Sequence, residues 1–221
     1  MGSTNSTLIA IDTWNRSRSN AAALIELLNQ GYSFTINRSQ YDAWCNVSSD
    51  VTELHIYPAV FDGVMKFVAV DNVTDANESI NFKNVFTLDY TFGKVDLSTA
   101  YPSGGSNVSI QEALERMFRW MMNKNGWIAS NISTRTGNMI FQVYVVPFSD
   151  LAALFNTSSN DHIFGLIGLE NQGDNAGLTD ILLWDDTVSF VDPASVQDVS
   201  YQCPPFNQSM DNFQLLQQSG Q

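Results

Sequence analysis

The sequence has few charged side chains, and the basic ones are the scarcer kind. Charged residues make up 15% of its 221 residues, with ten Lys and Arg against 23 Asp and Glu, for a formal net charge of −13. Typical domains contain about 25% charged residues. Nucleic acids and anionic membranes are bound through clustered basic side chains. We therefore expect no nucleic-acid partner and no attraction to an anionic membrane surface.

Long apolar runs are missing as well. A membrane-spanning helix needs at least about 18 consecutive, mostly apolar residues. The longest candidates, "MIFQVYVVPF" and "HIFGLIGL", have the length of buried strands. The sequence therefore predicts no membrane span.

Residues typical of catalytic and metal sites are also rare. The only histidines are His55 and His162, and no zinc-protease, Cys-x-x-Cys, phosphate-loop or nucleophile-elbow motif occurs. Acidic residues cluster in two stretches, neither with the spacing of an EF-hand loop: Asp71, Asp75 and Glu78, then Glu170, Asp174, Asp180, Asp185 and Asp186. We predict no catalytic residue, no cofactor and no metal site.

Asparagine followed two positions later by Ser or Thr is abundant. The stretch "DNVTDANES", residues 71–79, holds two such N-glycan acceptor triplets, and the whole chain holds ten. Random placement of the Asn, Ser and Thr residues gives roughly three or four such triplets. The excess predicts an exposed, glycosylated surface in a secreted or cell-surface protein. The acceptors are Asn5, Asn15, Asn37, Asn46, Asn72, Asn77, Asn107, Asn131, Asn156 and Asn207.

The two cysteines are Cys45 and Cys203. Disulfides persist in oxidising compartments, which the acceptor triplets already favour. We expect these two cysteines to be bonded and to hold the C-terminal segment against the rest of the fold. Two separate buried thiols are the alternative.

Apolar periodicity predicts a single α+β domain with a mixed or antiparallel sheet, packed by two main helices at about 20–30 and 110–124. Ser109 and Glu112 have the spacing of a capping box, and Gly126 is expected to end the second helix. Asp62–Gly63 lies between two strand-like runs and predicts a hairpin turn. Residues 71–79 are expected to form an exposed loop because they are rich in turn formers.

The ends of the chain have the weakest pattern. Residues 1–12 form a polar segment whose "TLIAID" favours a strand that could be exchanged between copies, residues 13–192 form the globular domain, and residues 193–221 form a C-terminal segment. Strand exchange between copies can build a filament. We therefore predict self-association into a homo-oligomer or filament.

Three functions are compatible with these features. The first is a non-enzymatic extracellular glycoprotein domain that serves as a coat, adhesin or filament subunit. The second is a carbohydrate-binding module whose surface tryptophans stack on sugar rings. The third is a secreted hydrolase with paired carboxylates. The acceptor triplets and the low charge favour the first.

Overall fold

The computed structural model describes residues 4–93, 108–132, 138–157, 161–171, 177–185, 196–198, 200–204, 206 and 208–220. Within them lie the helices α1 (Thr4–Ser17), α2 (Ala21–Leu28), α3 (Arg38–Cys45), α4 (Asn72–Asp75), α5 (Ile110–Asn131), α6 (Phe148–Thr157) and α7 (Gln214–Ser219). The strands are β1 (Ser33–Asn37), β2 (Glu53–Phe61), β3 (Val64–Asp71), β4 (Phe86–Asp89), β5 (Val143–Pro147), β6 (His162–Leu169), β7 (Thr179–Trp184), β8 (Val196–Asp198) and β9 (Tyr201–Cys203).

The strands form two antiparallel sheets that pack face to face. One sheet has the order β1-β6-β7-β8 and the other the order β4-β3-β2-β5-β9. The inner faces of both sheets contribute to one apolar core, in which the rings of Phe34 on β1 and Phe67 on β3 lie 4.8 Å apart. This arrangement confirms the predicted single α+β domain and specifies its sheets as antiparallel.

Helices cover the outer faces of the two sheets. Ala10 and Ile11 of α1 and Leu215 of α7 pack on the outer face of the five-stranded sheet. Ala113 and Met117 of α5 pack on the outer face of the four-stranded sheet. Strands buried on both faces are apolar along most of their length rather than alternating. This explains the nearly continuous burial of β2 and β3.

Several local predictions are confirmed. Asp62 and Gly63 both have positive φ, 50° and 82°, as the tight turn between β2 and β3 requires. The Ser109 hydroxyl accepts a hydrogen bond from the Glu112 N–H at 3.1 Å and begins α5. The helix predicted at about 20–30 is α2, and Asn20 caps it through its side chain.

The helix predicted at 110–124 is longer than expected. It continues through Gly126 to Asn131, because the second half of α5 also buries apolar side chains, including Trp127 and Ile128. Packing of these side chains offsets the roughly 1 kcal/mol by which Gly disfavours a helix interior. Gly126 therefore does not end the helix.

The strand predicted within residues 1–12 is wrong, because "TLIAID" lies inside α1. Thr7, Ala10, Ile11 and Trp14 are buried there, at the i, i+3, i+4, i+7 spacing of one helix face. The proposed boundary between residues 12 and 13 also falls inside this helix. Self-association by exchange of a strand in this segment is therefore not supported, because the segment is helical.

One end of the sandwich gathers three short helices. The start of β2 pairs with the ends of β3 and β5, where Glu53 is opposite Pro147 and Leu54 opposite Asp71. The end of β1 pairs with the start of β6. Helices α3, α4 and α6 follow these strand ends directly, and we call this the α3–α6 end. No helix in the described ranges is both long and apolar enough to cross a membrane.

Candidate functional site

The acceptor asparagines differ in their surroundings. Four have exposed side chains and three are half-buried, while the side chain of Asn5 and the whole of Asn107 and Asn207 lie outside the described residues. The exposed four are Asn37, Asn46, Asn77 and Asn156, and the half-buried three are Asn15, Asn72 and Asn131. The stretch around Asn72 is not a plain loop, because residues 72–75 form α4.

The predicted disulfide between Cys45 and Cys203 is not present. Cys45 is exposed at the end of α3, whose Trp44 ring packs on Phe86 of the edge strand β4. Cys203 is buried on β9, at the opposite edge of the same sheet. Strands lie about 4.8 Å apart, so these edges are separated by roughly 19 Å. A disulfide needs Cα atoms within about 7 Å.

The tryptophans do not form a sugar-binding surface. All five side chains, those of Trp14, Trp44, Trp120, Trp127 and Trp184, are buried. Trp14 and Trp127 stack on Phe141 inside the core. The surface tryptophans on which the carbohydrate-binding alternative depended are therefore not found in this fold.

A buried polar network lies on the outer face of the five-stranded sheet. His55 and Tyr57 point to the same face of β2, and both side chains contact the Asp75 carboxylate of α4. The His55 Nδ1 lies 2.6 Å from Asp75 Oδ2, and the Tyr57 hydroxyl donates to the same oxygen at 2.5 Å. The other oxygen, Oδ1, accepts the backbone N–H of Leu215 at 2.9 Å. One carboxylate thus joins β2, α4 and α7.

The second nitrogen of His55 faces Glu53. The His55 Nε2 lies 3.7 Å from Glu53 Oε2. The Gln208 side-chain amide donates to both Glu53 oxygens, at 2.9 and 2.8 Å, and to the Tyr201 hydroxyl at 2.7 Å. The Phe213 ring covers the imidazole, with centroids 4.7 Å apart. This end of the network therefore also binds the C-terminal segment.

The charges in this network shift its titration. Burial alone lowers the pKa of His55, but the two carboxylates raise it more, so the net pKa is above its ordinary value. The interaction with His55 lowers the pKa of Glu53. Burial and the Asp75 carboxylate raise the pKa of Tyr57 well above its usual value, so its hydroxyl keeps its proton and remains a donor.

Polar contacts, rather than the predicted disulfide, thus hold the C-terminal segment against the rest of the fold. Gln208, Phe213 and Leu215 of the C-terminal segment contact Glu53, His55 and Asp75, respectively. The sequence alone indicated no role for His55 and placed Asp75 in an exposed loop. The signal for the network is a histidine and a tyrosine two positions apart in a strand, which places both on one face.

Two acidic residues of the stretch 170–186, Glu170 and Asp180, lie in a second buried cluster. Arg116 of α5 contacts three carboxylates: Glu112 at 2.6 Å, Asp180 at 2.8 Å and Glu170. Arg116, Glu170 and Asp180 are all buried. The cluster joins α5 to the end of β6 and the start of β7, where Gly168 is opposite Asp180. Asp185 is also buried, whereas Asp174 and Asp186 lie outside the described residues.

The two arginines of α5 make different contacts. Arg116 pairs with Glu112 of the same helix, whereas Arg119 donates to the Leu169 carbonyl at 2.5 Å, and Glu115 accepts from Gln111 at 3.0 Å. Over the part of the chain that the structure describes, no three His, Cys, Asp or Glu side chains are grouped as a metal site would require.

A polar groove lies beside the C-terminal helix. Its walls are Leu8 of α1, Glu78, and four residues of the C-terminal segment, Asp211, Gln214, Gln217 and Gln218. Small-molecule sites are mostly apolar, with a few placed polar groups. The composition of this groove is therefore unlike that of a typical small-molecule site.

Comparison with known proteins adds no assignment. No protein-family model matches the chain, and no curated protein or solved structure is significantly similar to it. The class that the structure defines is an α+β protein with two packed antiparallel sheets flanked by helices.

Proposed function

We propose that this chain is a non-enzymatic, extracellular or cell-surface glycoprotein domain, of the kind used in coats, adhesins or filaments. The observation that supports this best is the exposure of Asn37, Asn46, Asn77 and Asn156, each in an acceptor triplet. Each lies at or near the end of a strand or helix, where an attached sugar meets solvent.

Low surface charge fits the same role. With 15% charged residues, the exterior depends on neutral polar groups for solubility. Bound sugar supplies such groups in quantity. The two buried charged clusters fit the non-enzymatic part of the proposal, because their charged groups join secondary-structure elements to each other.

Intact mass of the natively sourced protein, before and after removal of N-glycans, tests the proposal. We expect a mass loss corresponding to several glycans. A native protein whose mass equals that of the bare polypeptide would refute the extracellular glycoprotein role.

Self-association remains a prediction without the exchanged strand. Sedimentation of the native protein over a hundredfold range of concentration tests it directly. A monomer across the whole range would remove the filament role and leave a monomeric coat or adhesin domain.

A further inference from the structure

The two acceptor asparagines of residues 71–79 have opposite surroundings. Asn72 is half-buried, and its Oδ1 accepts the backbone N–H groups of Thr52 and Glu53 at 3.0 and 3.2 Å. Its Nδ2, the atom that would carry a glycan, donates to the Thr52 hydroxyl at 3.3 Å. The third residue of its triplet, Thr74, is buried. Asn72 therefore supports the start of β2 against α4.

Asn77, five residues later, is exposed. Its Oδ1 accepts only the local backbone N–H of Ser79, at 2.9 Å, in a turn at the surface. A glycan on its Nδ2 requires no change in the contacts between α4 and β2. The same short stretch thus holds one structural asparagine and one acceptor that is open to solvent.

The four exposed acceptors all lie in or next to α3, α4 and α6, the helices of the α3–α6 end. Asn37 joins β1 to α3, Asn46 follows α3, Asn77 follows α4 and Asn156 is near the end of α6. These helices meet at the α3–α6 end: the Tyr41 ring of α3 stacks on Phe155 of α6 at 4.8 Å. The backbone of Phe148, where α6 begins, donates to the Thr52 carbonyl at 2.8 Å.

The other two half-buried acceptors lie away from this end. The Asn15 Oδ1 accepts from the side chain of Gln142, which precedes the start of β5, while the end of β5 lies at the α3–α6 end. The Asn131 Nδ2 donates to the Trp127 carbonyl at 2.8 Å, as the Asn46 Nδ2 does to the Asp42 carbonyl, but Asn131 is half-buried whereas Asn46 is exposed. A glycan at Asn15 or Asn131 would therefore crowd side chains that are half-buried in the folded protein.

We propose that N-glycans are attached at Asn37, Asn46, Asn77 and Asn156, that they cover the α3–α6 end, and that Asn15, Asn72 and Asn131 stay unmodified. This inference rests on the proposed function and specifies its modification sites. The opposite end, with the Asp62–Gly63 turn, carries none of the four exposed acceptors.

The test uses the full chain secreted from a host that N-glycosylates. Folded monomer is purified, glycans are removed in heavy-oxygen water, and each acceptor peptide is scored by mass for the conversion of Asn to Asp. We expect high occupancy at the four exposed sites and none at Asn72, Asn15 and Asn131. Glycan at Asn72 in folded monomer, or bare Asn at three of the four exposed sites, would overturn the assignment.

A matched pair of variants separates the two asparagines of the short stretch. Asn77→Gln removes one glycan and changes the Tm of the deglycosylated protein by less than about 1 °C. Asn72→Gln removes no glycan and lowers the Tm by roughly 3–6 °C, because two backbone N–H groups lose their acceptor. Equal glycan loss in both variants would contradict the proposal. If Asn72→Gln is not secreted, the occupancy map of the unchanged chain still decides.

Failure of this inference is distinguishable from failure of the proposed function. A bare native protein refutes the extracellular glycoprotein role even if the host-made protein shows the expected pattern. A glycosylated native protein with sugar on Asn72 refutes the site assignment and leaves the role intact.

Discussion

The imidazole of His55 and the carboxylate of Asp75 are hydrogen bonded at 2.6 Å although they are twenty positions apart in the chain, and both side chains are fully buried. A buried carboxylate is stable only when its oxygens are paired or hydrogen bonded. Here the Asp75 Oδ2 is hydrogen bonded to the His55 imidazole and the Tyr57 hydroxyl, and the Oδ1 accepts the backbone N–H of Leu215. The C-terminal helix is thereby joined to the middle of the five-stranded sheet.

Replacing this carboxylate tests the joint. Asp75→Asn leaves His55 and Tyr57 without a charged acceptor, and we expect a loss of roughly 3–5 kcal/mol in the free energy of unfolding. The C-terminal residues should also become susceptible to proteolysis. Asp42→Asn on the exposed face of α3 is the control, with an expected change within about 0.5 kcal/mol. Urea unfolding measures both. Equal stability of the two variants would show that Asp75 is not structural.

The same network predicts how stability depends on pH. The pKa of His55 is raised above its ordinary 6.5, so the folded state holds this proton more tightly than the unfolded chain. The resulting stabilisation is complete below about pH 6.5 and is lost as the pH rises through the folded-state pKa. The pKa of Glu53 is lowered from its ordinary 4.5. Glu53 therefore stabilises the folded state above about pH 4.5, and this stabilisation is lost as the pH falls through its folded-state pKa.

Stability should therefore be greatest between these two transitions. Thermal unfolding from pH 4 to 10 measures the profile, and His55→Gln should flatten the decline on the alkaline side. A decline of the same steepness in His55→Gln would assign the pH dependence to other groups.

The sequence predicted local features well where one signal decides the structure. The Asp62–Gly63 turn and the Ser109 cap depend on residues within a few positions of each other, and both are confirmed. Helix α1 was missed because the run Leu8–Ile11 hides the helical spacing of Ala10, Ile11 and Trp14. In this case the face that packs on the sheet decides the structure, and only tertiary contacts identify it.

The buried networks could not be predicted for a related reason. The contact of His55 with Asp75 depends on the β2–β3 register, which brings together residues that are twenty positions apart. In sequence, Asp71 and Asp75 read as residues of a solvated loop, whereas both are fully buried. The disulfide was predicted from compartment alone, without the distance between opposite sheet edges.

The cysteines give a prediction that replaces the disulfide. In the native protein a maleimide reagent should label Cys45 rapidly, because it is exposed, while burial on β9 protects Cys203. After denaturation without reductant, both should react. Mass spectrometry counts the labels: one per native chain and two per denatured chain. If neither cysteine were labelled in denatured, unreduced protein, the two would be bonded and the original prediction of a disulfide would be correct.

Two glycines supply the last prediction, since they differ in the space around them. A Cβ at Gly168 would overlap with Asp180 Oδ1 and crowd the Cβ of Arg116, whereas a Cβ at Gly126 would meet nothing within 4 Å. Gly168→Ala should therefore separate Asp180 from Arg116 and destabilise the fold by about 1–3 kcal/mol. Gly126→Ala adds a better helix former inside α5 and should stabilise it by about 0.5–1 kcal/mol.

Urea unfolding of the two alanine variants and the unchanged chain gives both values from one experiment. The variants make the same chemical change, so a general effect of adding a methyl group would move them in the same direction. The opposite signs follow only if Gly168 lies against a charged cluster and Gly126 lies on the open face of a continuous helix. Destabilisation by Gly126→Ala would mean that α5 ends near residue 126, as the sequence pattern alone had indicated.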